Sequence, residues 1–118
     1  MSKLWEIEQK KIGTIITLLQ KWDVDRGGEL ADFVNNHYNI ALSPNLIINM
    51  EKIAYIDSVM IGALIHQYRH IKEQGGFLYL LKPSSIIIKI INNAGLANIF
   101  PIFFSESDLR AHIDRPVS

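Results

Sequence analysis

Three short apolar runs punctuate the chain: Thr14-Ile15-Ile16-Thr17-Leu18-Leu19, Leu46-Ile47-Ile48-Asn49-Met50 and Phe77-Leu78-Tyr79-Leu80-Leu81. Each is too short for a buried helix, and the first is rich in β-branched residues and apolar on both faces, as in a strand covered on both sides. Residues 4–10 alternate more weakly, with Leu4, Trp5 and Ile7 set against Glu6, Glu8 and Lys10. That pattern predicts an edge strand, paired antiparallel to the next through a turn at Lys10-Lys11-Ile12-Gly13.

Between the runs the period changes to that of a helix. Residues 29–38 place Leu30, Phe33, Val34 and His37 or Tyr38 on one side. Residues 58–74 carry a longer stripe of Ile61, Leu64, Ile65, Tyr68 and Ile71 or Lys72, with Gln67, Arg69, His70 and Glu73 off it. Gln74-Gly75-Gly76 stops that helix, because glycine takes the left-handed C-terminal conformation without steric cost. Residues 84–95 read as strand by isoleucine content, but the spacing of Ile86, Ile87, Ile90, Ile91 and Ala94 draws a helical face. A serine in front and Gly95 behind decide for a helix. Residues 96–104 hold a short last strand near their end, and Ser105-Glu106-Ser107-Asp108 opens a terminal helix through Ile113. Residues 114–118 read as a frayed tail.

The predicted order is β-β-α-β-α-β-α-β-α. It makes one α/β domain over residues 1–118, a mixed sheet of about five strands with about four helices on one side or end. The strand at 46–50, the long helix and the strand at 77–81 form a βαβ unit, with parallel strands and a right-handed crossover.

Composition narrows the function classes. The 118 residues carry 12 Lys and Arg against 12 Asp and Glu, so no global charge draws the chain to nucleic acid or an anionic membrane. There is no cysteine, which removes disulfides, thiolate nucleophiles and zinc–cysteine sites. The first residues lack the apolar core of a secretory signal, and no run reaches the roughly 20 apolar residues of a membrane span. The expectation is a cytoplasmic protein without direct membrane insertion.

Catalytic constellations are weak. His66 and His70 share one helix face at metal-ligand spacing, but no third ligand accompanies them. Arg26-Gly27-Gly28-Glu29 and Gln74-Gly75-Gly76 lack the spacing and lysine of a phosphate loop. No Gly-x-Ser-x-Gly elbow is present. The expectation is therefore a non-enzyme with no cofactor and no metal. What stands out is Asp57-Ser58, where a strand and its loop hand over to the long helix. Such a junction exposes a hydroxyl beside unpaired N–H groups, and suits a cap, a phosphate or a partner protein.

Three stretches together carry a resemblance. Ile56-Asp57-Ser58-x-x-Ile61-Gly62-x-Leu64, Gln74-Gly75-Gly76-Phe77-Leu78-Tyr79-Leu80 and Asn93-Ala94-Gly95-Leu96-Ala97-Asn98-Ile99-Phe100 resemble the STAS domain, and within it the bacterial anti-sigma factor antagonists. The resemblance covers almost the whole chain, including Trp22-Asp23 in the loop after the second strand. It implies a STAS-like fold and a partner-switching role in transcription regulation. Ser58 would be phosphorylated by a partner that is both anti-sigma factor and serine kinase, with a histidine-kinase-like ATP-binding fold. A serine phosphatase would reset it.

The resemblance also places Asp23, Asp57, Ser58, Val59, Met60, Ile61 and Gly62 in the partner-contact surface. Val59 and Met60 stand where the family usually has a hydroxyl residue and a glycine. They make the start of the helix more apolar, and so favour an alternative: an unphosphorylated STAS subunit of a membrane transport complex such as a lipid-transport ATPase. Trp5, on the edge strand, offers either a homodimer contact or a lid over the core.

Overall fold

The computed structural model describes residues 5–19, 32, 34–96 and 98–114. Five strands form one sheet in the order β1-β2-β3-β4-β5: β1 Trp5–Lys10, β2 Gly13–Leu18, β3 Asn45–Asn49, β4 Phe77–Leu81 and β5 Ile102–Phe103. β1 is antiparallel to β2, and every later pairing is parallel. Among the described residues the helices are α1 (residues 32 and 34–37), α2 Ser58–Glu73, α3 Ser85–Asn93 and α4 Glu106–Ile113. The α/β mixed sheet is the expected fold, with β1 at its edge and β3 at its centre. Leu30 and Phe33 of the predicted first helix, the loop residues Trp22, Asp23 and Asp25, and tail residues 115–118 lie outside the described residues.

Strand alternation divides the sheet into two faces. On one, Ile16, Leu18, Leu46, Ile48, Leu78 and Leu80 meet Met60, Leu64 and Ile71 of α2 and Ile87 and Ile91 of α3. On the other, Ile15, Ile47, Tyr79 and Leu81 meet Leu109 of α4, with Phe103 and Ile113 at the margin. The helices are thus on both faces, not on one side or end. The sequence shows the reason in β2, β3 and β4, whose runs are apolar at odd and even positions alike and need cover on both sides. Two buried polar side chains on the α4 face are satisfied: Asn45 Nδ2 donates to Ile12 O at 2.9 Å, and Asn49 Nδ2 to Thr17 Oγ1 at 3.3 Å.

α2 ends at Gln74 with Gly75 at φ +87°. Gly75 N donates to Lys72 O and Gly76 N to Ile71 O, the paired bonds of a Schellman stop. Gly76 is required for a different reason. A Cβ there would lie 2.8 Å from Pro44 O and against the Tyr38 hydroxyl, which itself donates to Pro44 O at 2.7 Å. Residues 92–96 close α3 with the same pair of bonds, Gly95 N to Asn92 O and Leu96 N to Ile91 O.

The buried face of α2 is Met60, Leu64, Gln67 and Ile71, with Ile61, Ile65 and Tyr68 half-buried beside it. The stripe is therefore rotated from the one that hydrophobicity alone selects. Gln67, a polar residue, occupies a core-facing position at 2 % exposure, and its Oε1 is buried with no hydrogen-bond partner. Leaving such an acceptor unpaired costs about 1–3 kcal/mol, whereas an apolar group of similar shape carries no such penalty. Gln67→Leu is accordingly expected to raise stability by about 1 kcal/mol. In urea denaturation this reads as a higher midpoint with an unchanged slope.

Candidate functional site

β3 is followed by an eight-residue connection, 50–57, that hands the chain to α2. Met50 N donates to Leu81 O at 2.9 Å, extending the parallel pairing one step, and Ile53 N turns back onto Met50 O at 3.2 Å. Ile53 and Ile56 are buried at 4 % and 2 % exposure and act as two apolar pegs. Ala54 and Tyr55, between the pegs, face outward. The connection is thus fixed by burial at alternate points rather than by regular secondary structure.

Asp57, not Ser58, caps the helix. Its backbone is extended at φ −95° and ψ 178°, and its Oδ1 accepts from Met60 N at 2.8 Å. Ile61 N donates to Asp57 O at 3.0 Å, the first bond of the helix proper. Ser58 is the first helical residue and is exposed, and among the described residues its hydroxyl has no hydrogen bond. The local sequence explains this division: aspartate reaches the third N–H of the first turn from the cap position, so the next residue keeps its side chain for other use.

Around Ser58 the surface is mixed. Val59 is 38 % and Tyr55 42 % exposed, and Gly62, one turn on, has open space where a Cβ would stand. Ile61 is half-buried against the core. Met60 is a correction. Expected on the partner-contact surface, it is 0 % exposed and belongs to the core beneath α2. The cap sets the helical phase, and the third residue of the helix then points at the sheet. Asp57, Ser58, Val59, Ile61 and Gly62 are brought together at one helix start, while the expected contact residue Asp23 lies outside the described residues.

One further residue borders the site without having been singled out as a site residue. Ser84 caps α3, accepting from Ile87 N at 3.1 Å, and its hydroxyl donates to Ala54 O at 2.7 Å. Ile86, in the first turn of α3, is 54 % exposed. β3 and β4 are parallel neighbours, so both α2 and α3 begin at the same end of the sheet. The signal for Ser84 in the sequence was a cap signal only; the bond to Ala54 spans 30 positions and has no local signature.

The other chemical candidates stay apart from this site. His66 and His70 stack at 6.4 Å with rings 2° apart on the exposed side of α2, and His70 Nε2 lies 2.9 Å from Gln74 Nε2. Among the described residues no group of three or more His, Asp or Glu is placed to hold a metal ion. A concavity of about 380 Å³ lies on the α4 side of the sheet, its lining including Glu6, Lys10, Thr17, Asn49 and Lys82. Its charges are largely paired across it, Lys10 with Glu106 at 2.9 Å and Lys82 with Glu51 at 3.4 Å. Hydrogen bonds from Asn49 and then Lys82 hold the Glu51 carboxyl below the usual glutamate range. The stabilising charge on Glu51 is thus present above that range and is lost as pH falls through the depressed value. Among the described residues no helix is long and apolar enough to cross a membrane.

The STAS domain family model matches residues 2–109. A Thermotoga maritima protein provisionally named an anti-sigma factor antagonist is 24% identical over 98 residues, covering 83% of this chain and 77% of its own length. Solved structures share the fold at lower identity. A Thermotoga maritima crystal structure with the same provisional description has a TM-score of 0.81 at 15% identity, covering 94% of this chain and 95% of that one. The anti-sigma factor antagonist SpoIIAA in its unphosphorylated form has a TM-score of 0.76 at 19% identity, covering 97% and 99%. The phosphorylated form of SpoIIAA, described as a Bacillus cell fate determinant, gives 0.68 at 18%, covering 92% and 98%.

The division of labour between the two site residues is directly measurable. Asp57→Ala is expected to cost about 1 kcal/mol through the lost cap. Ser58→Ala, which removes an exposed and unbonded hydroxyl, is expected to stay within about 0.5 kcal/mol of the parent. Urea midpoints of the two variants check the pair, and a larger loss in Ser58→Ala would mean that Ser58 is the cap.

Proposed function

The chain belongs to the STAS domain family, and from that premise we propose that it is a cytoplasmic partner-switching regulator of the anti-sigma factor antagonist type. Unphosphorylated, it binds an anti-sigma factor that is also a serine kinase with a histidine-kinase-like ATP-binding fold. The kinase transfers the γ-phosphoryl group of ATP to Ser58 Oγ, the hydroxyl proton is lost, ADP departs and the partner is released. A serine phosphatase removes the group by hydrolysis and resets the protein.

The observation that carries this reading is the free hydroxyl. Asp57 does the capping, so Ser58 Oγ is exposed and its modification breaks no internal bond. A phosphoryl group there adds about 1.5 to 2 negative charges beside the Asp57 carboxylate. In the free protein the start of α2 offers partial positive charge and solvent, so the fold tolerates the group. Against a partner, the same charges must lose water next to Val59 and Tyr55, both partly apolar and exposed. Phosphorylation then disfavours the complex and leaves the fold in place. This chain shares its fold with SpoIIAA in both an unphosphorylated and a phosphorylated form, which supports the part of this reading in which the fold carries the group.

Gly62 supports the same surface from another direction. A glycine inside an exposed helix costs about 0.5–1 kcal/mol relative to alanine, and here no neighbouring atom excludes a Cβ. A bare patch one turn from Ser58 lets a partner approach the helix backbone closely. The burial of Met60 removes one of the two residues that favoured a permanent transport-complex interface, and leaves only Val59 to enlarge the apolar surface.

Incubation with ATP and a partner serine kinase of the anti-sigma factor class is expected to add a single phosphoryl mass to the wild type and none to Ser58→Ala, by intact-mass spectrometry. Ser58→Asp is expected to weaken partner binding at least tenfold. Equal binding by Ser58→Asp and wild type would favour the constitutive-subunit reading instead. For Gly62→Ala the expectations have opposite signs: stability rises by about 0.5–1 kcal/mol while partner affinity falls. A gain in both would remove Gly62 from the contact surface.

A further inference from the structure

The connection that presents Ser58 is cross-linked to the β4–α3 junction at three successive points. Met50 N donates to Leu81 O at 2.9 Å, Lys82 Nζ pairs with Glu51 Oε2 at 3.4 Å, and Ser84 Oγ donates to Ala54 O at 2.7 Å. The first two bonds hold the part of the connection nearest β3. Only the third reaches the stretch between the two apolar pegs Ile53 and Ile56, from which the chain runs directly into Asp57 and Ser58. The junction is bent to make it. Lys82 adopts φ +54°, a left-handed conformation unusual for a residue with a side chain, and is followed at once by Pro83, whose fixed φ leads into the Ser84 cap.

We infer that Ser84 is a positioning residue for Ser58: its hydroxyl ties the presenting connection to the first turn of α3, so that the acceptor hydroxyl is offered in one place. The consequence for phosphoryl transfer rests on the reading of Ser58 as the modification site; the tie itself does not. A serine hydroxyl has one proton to donate and lone pairs to accept with. At Ser84 both capacities are in use, the proton toward Ala54 O and a lone pair toward Ile87 N at 3.1 Å. The cap and the tie are therefore separable by substitution. Aspartate accepts from the helix N–H as well as serine does, but has no proton to give to a carbonyl. Threonine retains both. Phosphoryl transfer depends on the placement of the nucleophile, and a small misplacement lowers the rate of the chemical step more than it weakens binding.

The test compares wild type with Ser84→Thr and Ser84→Asp in two assays. Amide hydrogen exchange of the free protein reads the tie without any partner. Ser84→Asp is expected to speed exchange across residues 54–60 about tenfold or more, with the melting temperature held by the retained cap and Ser84→Thr matching wild type. Phosphorylation by the partner kinase reads the consequence, with kcat for Ser84→Asp lower by about tenfold, KM little changed, and rescue by threonine. Faster exchange in Ser84→Asp with no phosphorylation of the wild type would uphold the tie and overturn the phosphoswitch. Wild-type exchange and wild-type kcat in Ser84→Asp would overturn the positioning role while leaving the phosphoswitch intact. Should Ser84→Asp melt early, Ser84→Asn, which caps and also carries an N–H donor, decides by whether it restores slow exchange at residues 54–60.

Discussion

The bond from Met60 N to Asp57 Oδ1, 2.8 Å long, sets the layout of everything around it. It fixes where α2 begins, and so fixes its rotational phase against the sheet. With that phase Met60, Leu64 and Ile71 enter the core, while Ser58, Val59 and Gly62 remain outside. Had Ser58 been the cap, its hydroxyl would be spent on the backbone and the helix would begin one residue later. The surface chemistry of the site follows from a single internal hydrogen bond.

That bond acts within a sheet whose topology gathers helix starts at one end. β2, β3, β4 and β5 run parallel, and each parallel connection must carry the chain back over the sheet before the next strand begins. α2 and α3 consequently leave from the same edge, where the connection before α2 and the junction before α3 lie side by side. Ser84 uses this adjacency to serve both, as the cap of one helix and the donor to the segment that leads into the other. α4, on the opposite face, closes the core there and leaves the Ser58 edge untouched.

Local signals made most of this architecture legible. The β-branched runs marked β2 to β4, the serine and glycine bounds separated helix from strand in α3, and Gly75 stopped α2 within a residue of its predicted end. Periodicity failed where chemistry and geometry disagreed. Gln67 is polar yet core-facing, so a stripe chosen by hydrophobicity slides toward Ile61, Ile65 and Tyr68; Met60, which the family resemblance sets on the contact surface, lies in the core. The side of the sheet taken by α4 was also hidden, because an amphipathic helix of two turns fits either face equally well. The bond between Ser84 and Ala54 joins residues 30 apart, and no local pattern encodes it.

Three positions in the described structure run against local stability, and their distribution carries meaning. Gly62 weakens a helix that would accept alanine, and Lys82 holds a left-handed backbone that glycine or asparagine would adopt more easily. Both border the Ser58 segment, one on its helix and the other on the junction that braces it. Gln67 lies further along α2, facing inward, and has no such connection. If stability alone had shaped this chain, the first two would be as easy to repair as the third. Under the proposed function, their placement at one edge suits a surface shaped for contact, with a bare approach at Gly62 and a bent junction at Lys82 beside the Ser84 bond to Ala54. Gln67 faces the core with an unpaired acceptor, away from that edge, and its replacement should leave the behaviour of the Ser58 edge unchanged.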